Sequence, residues 1–421
     1  MKKLLRRLEP ARLGSAAAAW FRERIDAGPL LRLLDRKTVP SHRHSWIYLL
    51  GGAALFLFAL QVASGSLLML YYQPSAEAAH ESVRKIATEI PCGWLIRSVH
   101  AWGADLFIAC VAVHFLIKLF ARAYRQPREL TWFSGLLLLG LALAAGFSGY
   151  LLPWTELSYF ATLVGTQIPG TLPVVGDWIV HFLRGGDQVT GDTITRFYAV
   201  HVMFLPLLTG VVIAGHAALI QVQGMSLPIG MPAGQVRDRR PFFTEFLLSE
   251  FCLWLVLFGT LVSLASLLPA GIGVKADPLK AAPPGIKPEW YFLFMFQTLK
   301  LLPESLGVLL FALGGLFLFA VPLVDRRASR GEKSPRLTGV FVLLLAYALV
   351  FQVLAVRTPG VESHAVEAVR GTPLASVLVS LALLWAVLGF LVYALVQLVR
   401  VNTRFRRLSV RRAGEPAAEG R

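Results

Sequence analysis

"HAWGADLFIACVAVH", residues 100–114, places two histidines 14 residues apart inside a run otherwise apolar enough for a bilayer-spanning helix. An ionisable side chain at that depth is costly in lipid and is retained for function. At about 1.5 Å and about 100° per residue, the pair is separated by a rise of about 21 Å and a rotation about 40° short of four turns. His100 and His114 therefore share one side of the helix, one near each leaflet. "HVMFLPLLTGVVIAGH", residues 201–216, repeats the arrangement with a spacing of 15, about 60° beyond four turns.

At matched depth on facing helices, His100 faces His201 and His114 faces His216. Two imidazoles on facing helices are what a six-coordinate b-type haem needs as axial ligands. The pattern thus predicts two stacked, non-covalent haems in a four-helix bundle, with these four histidines as iron ligands. A single membrane histidine is more simply read as a hydrogen-bond partner for a neighbouring helix, but two pairs at matched depth are not.

Glycines give an independent sign. Gly51 and Gly65 in one span, and Gly135 and Gly149 in another, repeat the 14-residue spacing on the two helices that lack histidine pairs. Glycine lets a flat group approach a helix backbone as closely as it lets helices approach each other. Arg97, Arg196 and Lys118 stand three before His100, five before His201 and four after His114, placed to meet haem propionates. The alternative for each is a long side chain reaching to the interface.

The chain has 421 residues, of which 56% are hydrophobic, and its mean hydropathy is +0.61. These values exclude a soluble domain and predict an all-α, polytopic membrane protein. Eight apolar segments reach or approach membrane-spanning length: 46–70, 95–117, 132–153, 198–220, 247–269, 306–324, 338–356 and 374–399. The net charge of +16 is not a nucleic-acid signature, because the basic residues gather in alternate loops: the N-terminus, "KLFARAYRQPREL", "VRDRR", "DRRASRGEKSPR" and the tail "VNTRFRRLSVRR". The positive-inside rule puts these and both termini in the cytoplasm. Residues 1–45 form a cytoplasmic leader, with 17–36 readable as a surface-lying amphipathic helix or as a solvated basic stretch. The opening lacks an apolar core long enough for a signal peptide. Beyond the leader we expect a dihaem bundle over 46–222, a second part over 223–400 and a basic tail over 401–421. The three cysteines form no CxxC pair, so neither a disulfide framework nor a zinc site is expected.

"GWLIRSVHAWGA" with its second histidine 14 on, "PRELTW", "GYLLPW", "TRFYAVH" and "KPEWYFLF" together resemble cytochrome b, the membrane core of the quinol:cytochrome c oxidoreductases. The likeness runs from about residue 40 to 356, with a similar eighth helix beyond. The 15-residue histidine spacing and "RELTW" are similar to the chloroplast and cyanobacterial branch, whose chain is split after the fourth helix; a single polypeptide is the mitochondrial and proteobacterial pattern. In the photosynthetic branch a cysteine near the start of the first helix anchors a further haem. Leu49 stands at the matching position, so no covalent third haem is expected. Ile117 replaces the family's usual arginine, with Lys118 beside it.

The resemblance implies a bacterial cytoplasmic-membrane subunit that oxidises quinol on the outer side. Glu289, in the loop expected outside, would accept a proton; carboxylates in apolar pockets can have a pKa raised toward neutrality, which suits such work in general. Pro288 restricts the backbone, Trp290 and Tyr291 would pack around the quinone ring, and Tyr150 would line the same pocket. The implied mechanism is electron bifurcation coupled to proton translocation: one electron goes to a Rieske iron–sulfur protein and then a c-type cytochrome, the other crosses through two haems to a quinone near the cytoplasmic face. No CxxCH or Rieske cysteines are present, so those cofactors belong to partner subunits. The family also implies a homodimer of the complex. From position alone, Gln221 and Glu245 or Glu250 could contact the inner quinone. Two other classes use some of these features: a dihaem quinone-reactive anchor of another oxidoreductase, which has no use for the "PEWY" loop, and a haem-free transporter, whose common inverted repeats are not evident here.

Overall fold

The computed structural model describes residues 37–42, 44–229 and 238–358. The surface helix expected at 17–36, the eighth span at 374–399 and the tail at 401–421 lie outside them. The described residues fall into two compact units, one within Met1–Ser45 and Pro232–Phe251, the other within Trp46–Met231 and from Cys252 onward.

In the smaller unit, β1 (Thr38–Ser41) pairs antiparallel with β2 (Asp238–Pro241), Thr38 opposite Pro241. This two-stranded ladder and an isolated antiparallel bridge between Thr155 and Lys275 are the β pairings among the described residues. A π turn, Phe242–Phe246, follows and sets the Phe242 and Phe246 ring centroids 5.5 Å apart, tilted by 30°.

The helices, in chain order, are α1 (Leu49–Met69), α2 (Ala79–Thr88), α3 (Gly93–Phe120), α4 (Glu129–Leu151), α5 (Glu156–Gln167), α6 (Gly176–Arg184), α7 (Gly191–Ala199), α8 (Leu205–Gln223), α9 (Leu247–Leu267), α10 (Leu293–Leu301), α11 (Glu304–Val324), α12 (Arg326–Ser329) and α13 (Pro335–Arg357). Seven helical stretches among the described residues are long and apolar enough to cross a membrane, matching the first seven expected spans. Their outward faces keep large apolar side chains exposed, among them Leu207, Leu316 and Leu343. A water-exposed surface of that kind would be unfavourable, whereas lipid accepts it, and each helix satisfies its backbone internally.

The fourth span starts earlier than its hydropathy indicated. It runs from Gly191 through α7, a π turn at Val200–Phe204 and α8. The Leu205 amide bonds the Val200 carbonyl, five residues back, and so accommodates one extra residue in the turn. Pro206 follows at once; it has no N–H for the carbonyl four residues earlier and its ring would crowd that carbonyl in a regular helix. The wide turn relieves both problems, and His201 sits within it.

In the larger unit α3 packs on α1 and α4, and α4 packs on α8, so the four long helices form a bundle. The family-like motifs hold the bundle's ends together. After α4, the "LPW" turn puts Trp154 at φ 48° and buries its ring. Its carbonyl accepts the Ala276 amide at 3.0 Å, and the Glu156 amide donates to the Val274 carbonyl at 2.9 Å, so the chain that follows α9 is tied to this end of α4. Trp102 donates to the Leu268 carbonyl at 2.8 Å and the Ala270 amide donates to Ser98 Oγ at 3.0 Å. The same loop is thereby fastened to α3.

At the opposite end, the basic residues of the α3–α4 loop do more than mark a membrane side. Arg128 donates to the Gly224 and Gln223 carbonyls at 2.6 and 2.9 Å, and Arg125 to the Leu227 carbonyl at 2.8 Å. Guanidinium groups at the C-terminus of α8 meet carbonyls that have no helical partner and the negative end of the dipole. Arg122 is buried, its Nε 3.4 Å from Asp325 Oδ2, with the Tyr124 hydroxyl on the same oxygen at 2.7 Å.

Candidate functional site

The bundle brings all four histidines against the four expected glycines. A Cβ added at Gly65 would stand 3.1 Å from His100 Cε1, and one at Gly149 only 2.6 Å from His201 Cε1. At the other end the corresponding separations are 3.5 Å from Gly51 to His114 Cε1 and 3.5 Å from Gly135 to His216 Cε1. Each glycine therefore serves one histidine, and the two ends form two tiers. In the first tier the His100 and His201 ring centroids are 6.2 Å apart with their planes at 81°. Metal–imidazole bonds of about 2 Å on either side of one ion put ring centroids roughly 6 Å apart.

Serine hydroxyls stand against three of the histidine Nδ1 atoms. His100 Nδ1 lies 2.9 Å from Ser64 Oγ, His201 Nδ1 3.1 Å from Ser148 Oγ, and His216 Nδ1 2.8 Å from Ser134 Oγ. Each hydroxyl spends its single hydrogen on a carbonyl one turn back in its own helix: Ser64 on Leu60 at 2.7 Å, Ser148 on Ala145 at 3.2 Å, Ser134 on Thr131 at 3.0 Å. The serine oxygen is then an acceptor, Nδ1–H is the donor, and Nε2 keeps its lone pair for a metal. These serines were not anticipated, since serine bonding its own helix is ordinary in membrane spans; their position, immediately before Gly65, Gly135 and Gly149, is the sequence signal.

A haem fits this arrangement on three observations: paired imidazoles at the separation an iron requires, glycines where side chains would intrude, and hydrogen bonds that aim Nε2.

The first tier opens into a cavity of about 660 Å³, lined also by Gly65, Gly149, Tyr150, Glu289 and Tyr291. Glu289 is 5% exposed. It precedes the short 3₁₀ turn Trp290–Phe292 that leads into α10. Gly146 makes room for the Tyr291 hydroxyl, which a Cβ there would meet at 2.6 Å. The Tyr291 phenol, beyond the membrane-spanning helices, is pushed well above its usual pKa, first by burial and then by the charges of Glu289 and Asp105. The Tyr150 hydroxyl is buried with no hydrogen-bond partner.

Pro288 and Trp290 do not line this cavity. Trp290 instead donates from Nε1 to Asp105 Oδ1 at 2.7 Å, and its carbonyl accepts from Gln352 at 2.8 Å. Asp105 was overlooked. It is a carboxylate in the middle of an apolar span, five residues after His100, and it does line the cavity. Its signal was the rarity of acids at that depth.

The basic residues separate. Arg97 lines the cavity while donating to the Ala270 and Gly271 carbonyls at 2.5 and 2.6 Å. Arg196 turns to the Phe182 carbonyl at 2.9 Å and does not line it. Lys118 Nζ sits 5.3 Å from the centre of the Tyr48 ring. Gln221 is exposed on the last turn of α8; two residues on, Gln223 ties α8 to Thr131 and Pro127. Glu245 is in the π turn of the smaller unit and Glu250 in the first turn of α9.

Known families match the chain in two successive parts. A model of the family Cytochrome b/b6/petB matches residues 34–224, and one of the family Cytochrome b(C-terminal)/b6/petD matches 275–379. A cytochrome bc complex cytochrome b subunit from Chlorobaculum thiosulfatiphilum is 45% identical over 341 residues, 80% of this chain and 79% of the relative. Cytochrome b6 of Gloeobacter violaceus is 41% identical over 210 residues, half of this chain but 97% of its own length. Among solved structures, a chain of a hyperthermophilic respiratory complex III superposes with a TM-score of 0.71 at 28% identity, covering 90% of this chain and 98% of that one. The chain belongs to the cytochrome b/b6 family, with the parts matched by both family models joined in one polypeptide.

Proposed function

We propose that this chain, the cytochrome b subunit of a cytochrome bc complex, oxidises quinol in the cavity beside His100 and His201 by electron bifurcation. The observation that carries the reading is the meeting, in one cavity, of a glycine-backed histidine pair and the buried carboxylate of Glu289. His100 with His201, and His114 with His216, would hold two b-type haems, cradled by Gly65 and Gly149 in one tier and Gly51 and Gly135 in the other. Bound haems would supply one-electron carriage across the span, so that the two electrons of a quinol could part, one to an external Rieske iron–sulfur protein and c-type cytochrome, the other to a quinone at the far end.

The chain's own residues do the proton work. Glu289 accepts a proton from a quinol hydroxyl in surroundings that exclude most water. Tyr291, kept protonated by burial, remains a hydrogen-bond donor at working pH and orients the substrate oxygen; Tyr150 offers a second hydroxyl from α4. Arg97 would meet a propionate of the first tier, and Lys118 one of the second. On this reading the first tier faces outward, both termini are cytoplasmic in a bacterial inner membrane, turnover moves protons outward, and the complex works as a homodimer.

The test uses the purified complex with its partner subunits. Quinol is added, reoxidation at the far quinone site is blocked, and an oxidant pulse is given while the b-haem absorbance is followed. Transient reduction of the b haems on adding oxidant is the expected result. Haems that are only oxidised would make the chain a simple electron wire and would remove the assignment of Glu289.

A further inference from the structure

The two tiers are not equivalent. In the first, both histidines donate Nδ1–H to a serine, Ser64 and Ser148. In the second only His216 does so, to Ser134. His114 Nδ1 is buried with no hydrogen-bond partner. One side-chain difference accompanies this, beside a backbone carbonyl that the other three histidines also reach, of Gln61, Ala145 and Thr131. The acceptor serine always stands immediately before the glycine that backs the histidine: Ser64 before Gly65, Ser134 before Gly135, Ser148 before Gly149. Before Gly51 that position is Leu50. Gly51 and Gly135 stand equally close to their histidines, 3.5 Å from Cε1 in each case. Within the second tier the two histidines are therefore equally backed by glycine, and the hydroxyl is what the side chain at position 50 fails to give His114.

A histidine that donates Nδ1–H gains imidazolate character and becomes a stronger ligand to the metal on Nε2. Stronger donation favours the more highly charged, oxidised metal, so it lowers the reduction potential. We propose that Ser64, Ser134 and Ser148, with Leu50 in the fourth place, set the order of the two haem potentials. The first tier, with two such bonds, is the lower, and the second tier, with one, is the higher, which drives electrons from the quinol-oxidising end toward the far end. The proposal rests on the bis-histidine haem reading above. These serines and Leu50 are positioning residues, because they act through the imidazoles.

The experiment is a redox titration of the two b haems in the purified complex, in native protein and in Leu50→Ser, Leu50→Ala and Ser148→Ala variants. Leu50→Ser supplies the missing acceptor. At an ambient potential equal to the native midpoint of the higher haem, the ratio of reduced to oxidised haem should fall about tenfold, equivalent to about 59 mV for one electron. Leu50→Ala, which removes the same bulk without adding a hydroxyl, should leave that ratio within about twofold of native, well short of the tenfold change expected of a ligand's outer partner. Ser148→Ala should raise the ratio of the other haem, and Ser148→Thr should restore it. The proposal is overturned if Leu50→Ser and Leu50→Ala titrate alike with both haems retained, or if Ser148→Ala and Leu50→Ser move the same haem. A native complex without two bis-histidine haems would overturn the haem reading itself, a result distinct from either.

Discussion

Replacing Gly149 by alanine tests the cradle where the structure leaves the least room. The added Cβ would fall 2.6 Å from His201 Cε1 and 3.1 Å from both ring nitrogens. Ordinary contact begins at 3.4 Å, so the imidazole must retreat by about 0.8 Å or α4 and α8 must part. The ring has little freedom, because Nδ1 is held by Ser148 on the same turn of α4 that carries the new methyl group. Overpacking of this kind costs about 1–3 kcal/mol, which as weakened haem binding is roughly 5- to 150-fold. The assay is haem per chain by pyridine haemochrome, with the reduced-minus-oxidised spectrum to show which tier is lost. We expect the native protein to hold two haems and Gly149→Ala about one. Gly135→Ala is the informative companion. Its Cβ would clear His216 by 3.5 Å and would displace no imidazole, so any haem it sheds is shed because the methyl group meets the haem itself. Two haems with unchanged bands in Gly149→Ala would refute the reasoning.

Three further outcomes follow from the same contacts. Asp325→Ala leaves the Arg122 guanidinium, 2% exposed, without its counter-charge, and should cost about 3–5 kcal/mol; thermal unfolding in detergent reads this, and an Arg122→Met, Asp325→Leu pair should recover most of it. Asp105→Leu strands the Trp290 indole N–H, now 2.7 Å from Oδ1, at about 1–3 kcal/mol; Asp105→Asn keeps an acceptor and should unfold near the native temperature, and equal losses in both would show that the contact is not what matters. Tyr72 donates to the Leu152 carbonyl at 2.7 Å, and burial, then Tyr198, raises its pKa. Its stabilisation is complete below the unfolded phenol's value of about 10 and is lost as pH rises from there through the folded value, so Tyr72→Phe should flatten the alkaline limb of a stability-against-pH curve.

Periodicity and residue cost made part of the site legible. The histidines announced themselves because an ionisable group in an apolar span needs a reason, and the glycines because they repeat that spacing on other helices. What escaped were features whose meaning depends on a neighbour distant in sequence. Ser64, Ser134 and Ser148 are unremarkable until His100, His216 and His201 stand beside them. Arg122 reads as one more cytoplasmic charge, yet it is buried against Asp325, more than two hundred residues on. Trp290 has the composition of a ring-stacking residue, but its indole is engaged by Asp105 from α3 and leaves the cavity to Tyr291.

The unequal histidine spacings are resolved by the same kind of distant fact. Taken alone, 14 residues in α3 and 15 in the fourth span imply imidazoles rotated differently about their axes, by about 100° in sum. Yet Gly149 and Gly135, 14 apart on α4, each meet their own histidine on the neighbouring span. Both statements hold only if the fourth span carries one residue that does not advance it as a regular helix would. The π turn at Val200–Phe204 is where that residue is spent, and Pro206 makes a regular turn unfavourable there. The extra residue and the proline thus work as one device, which lets a histidine pair spaced by 15 match a glycine pair spaced by 14. A proline that would otherwise break a membrane helix instead brings both tiers into register.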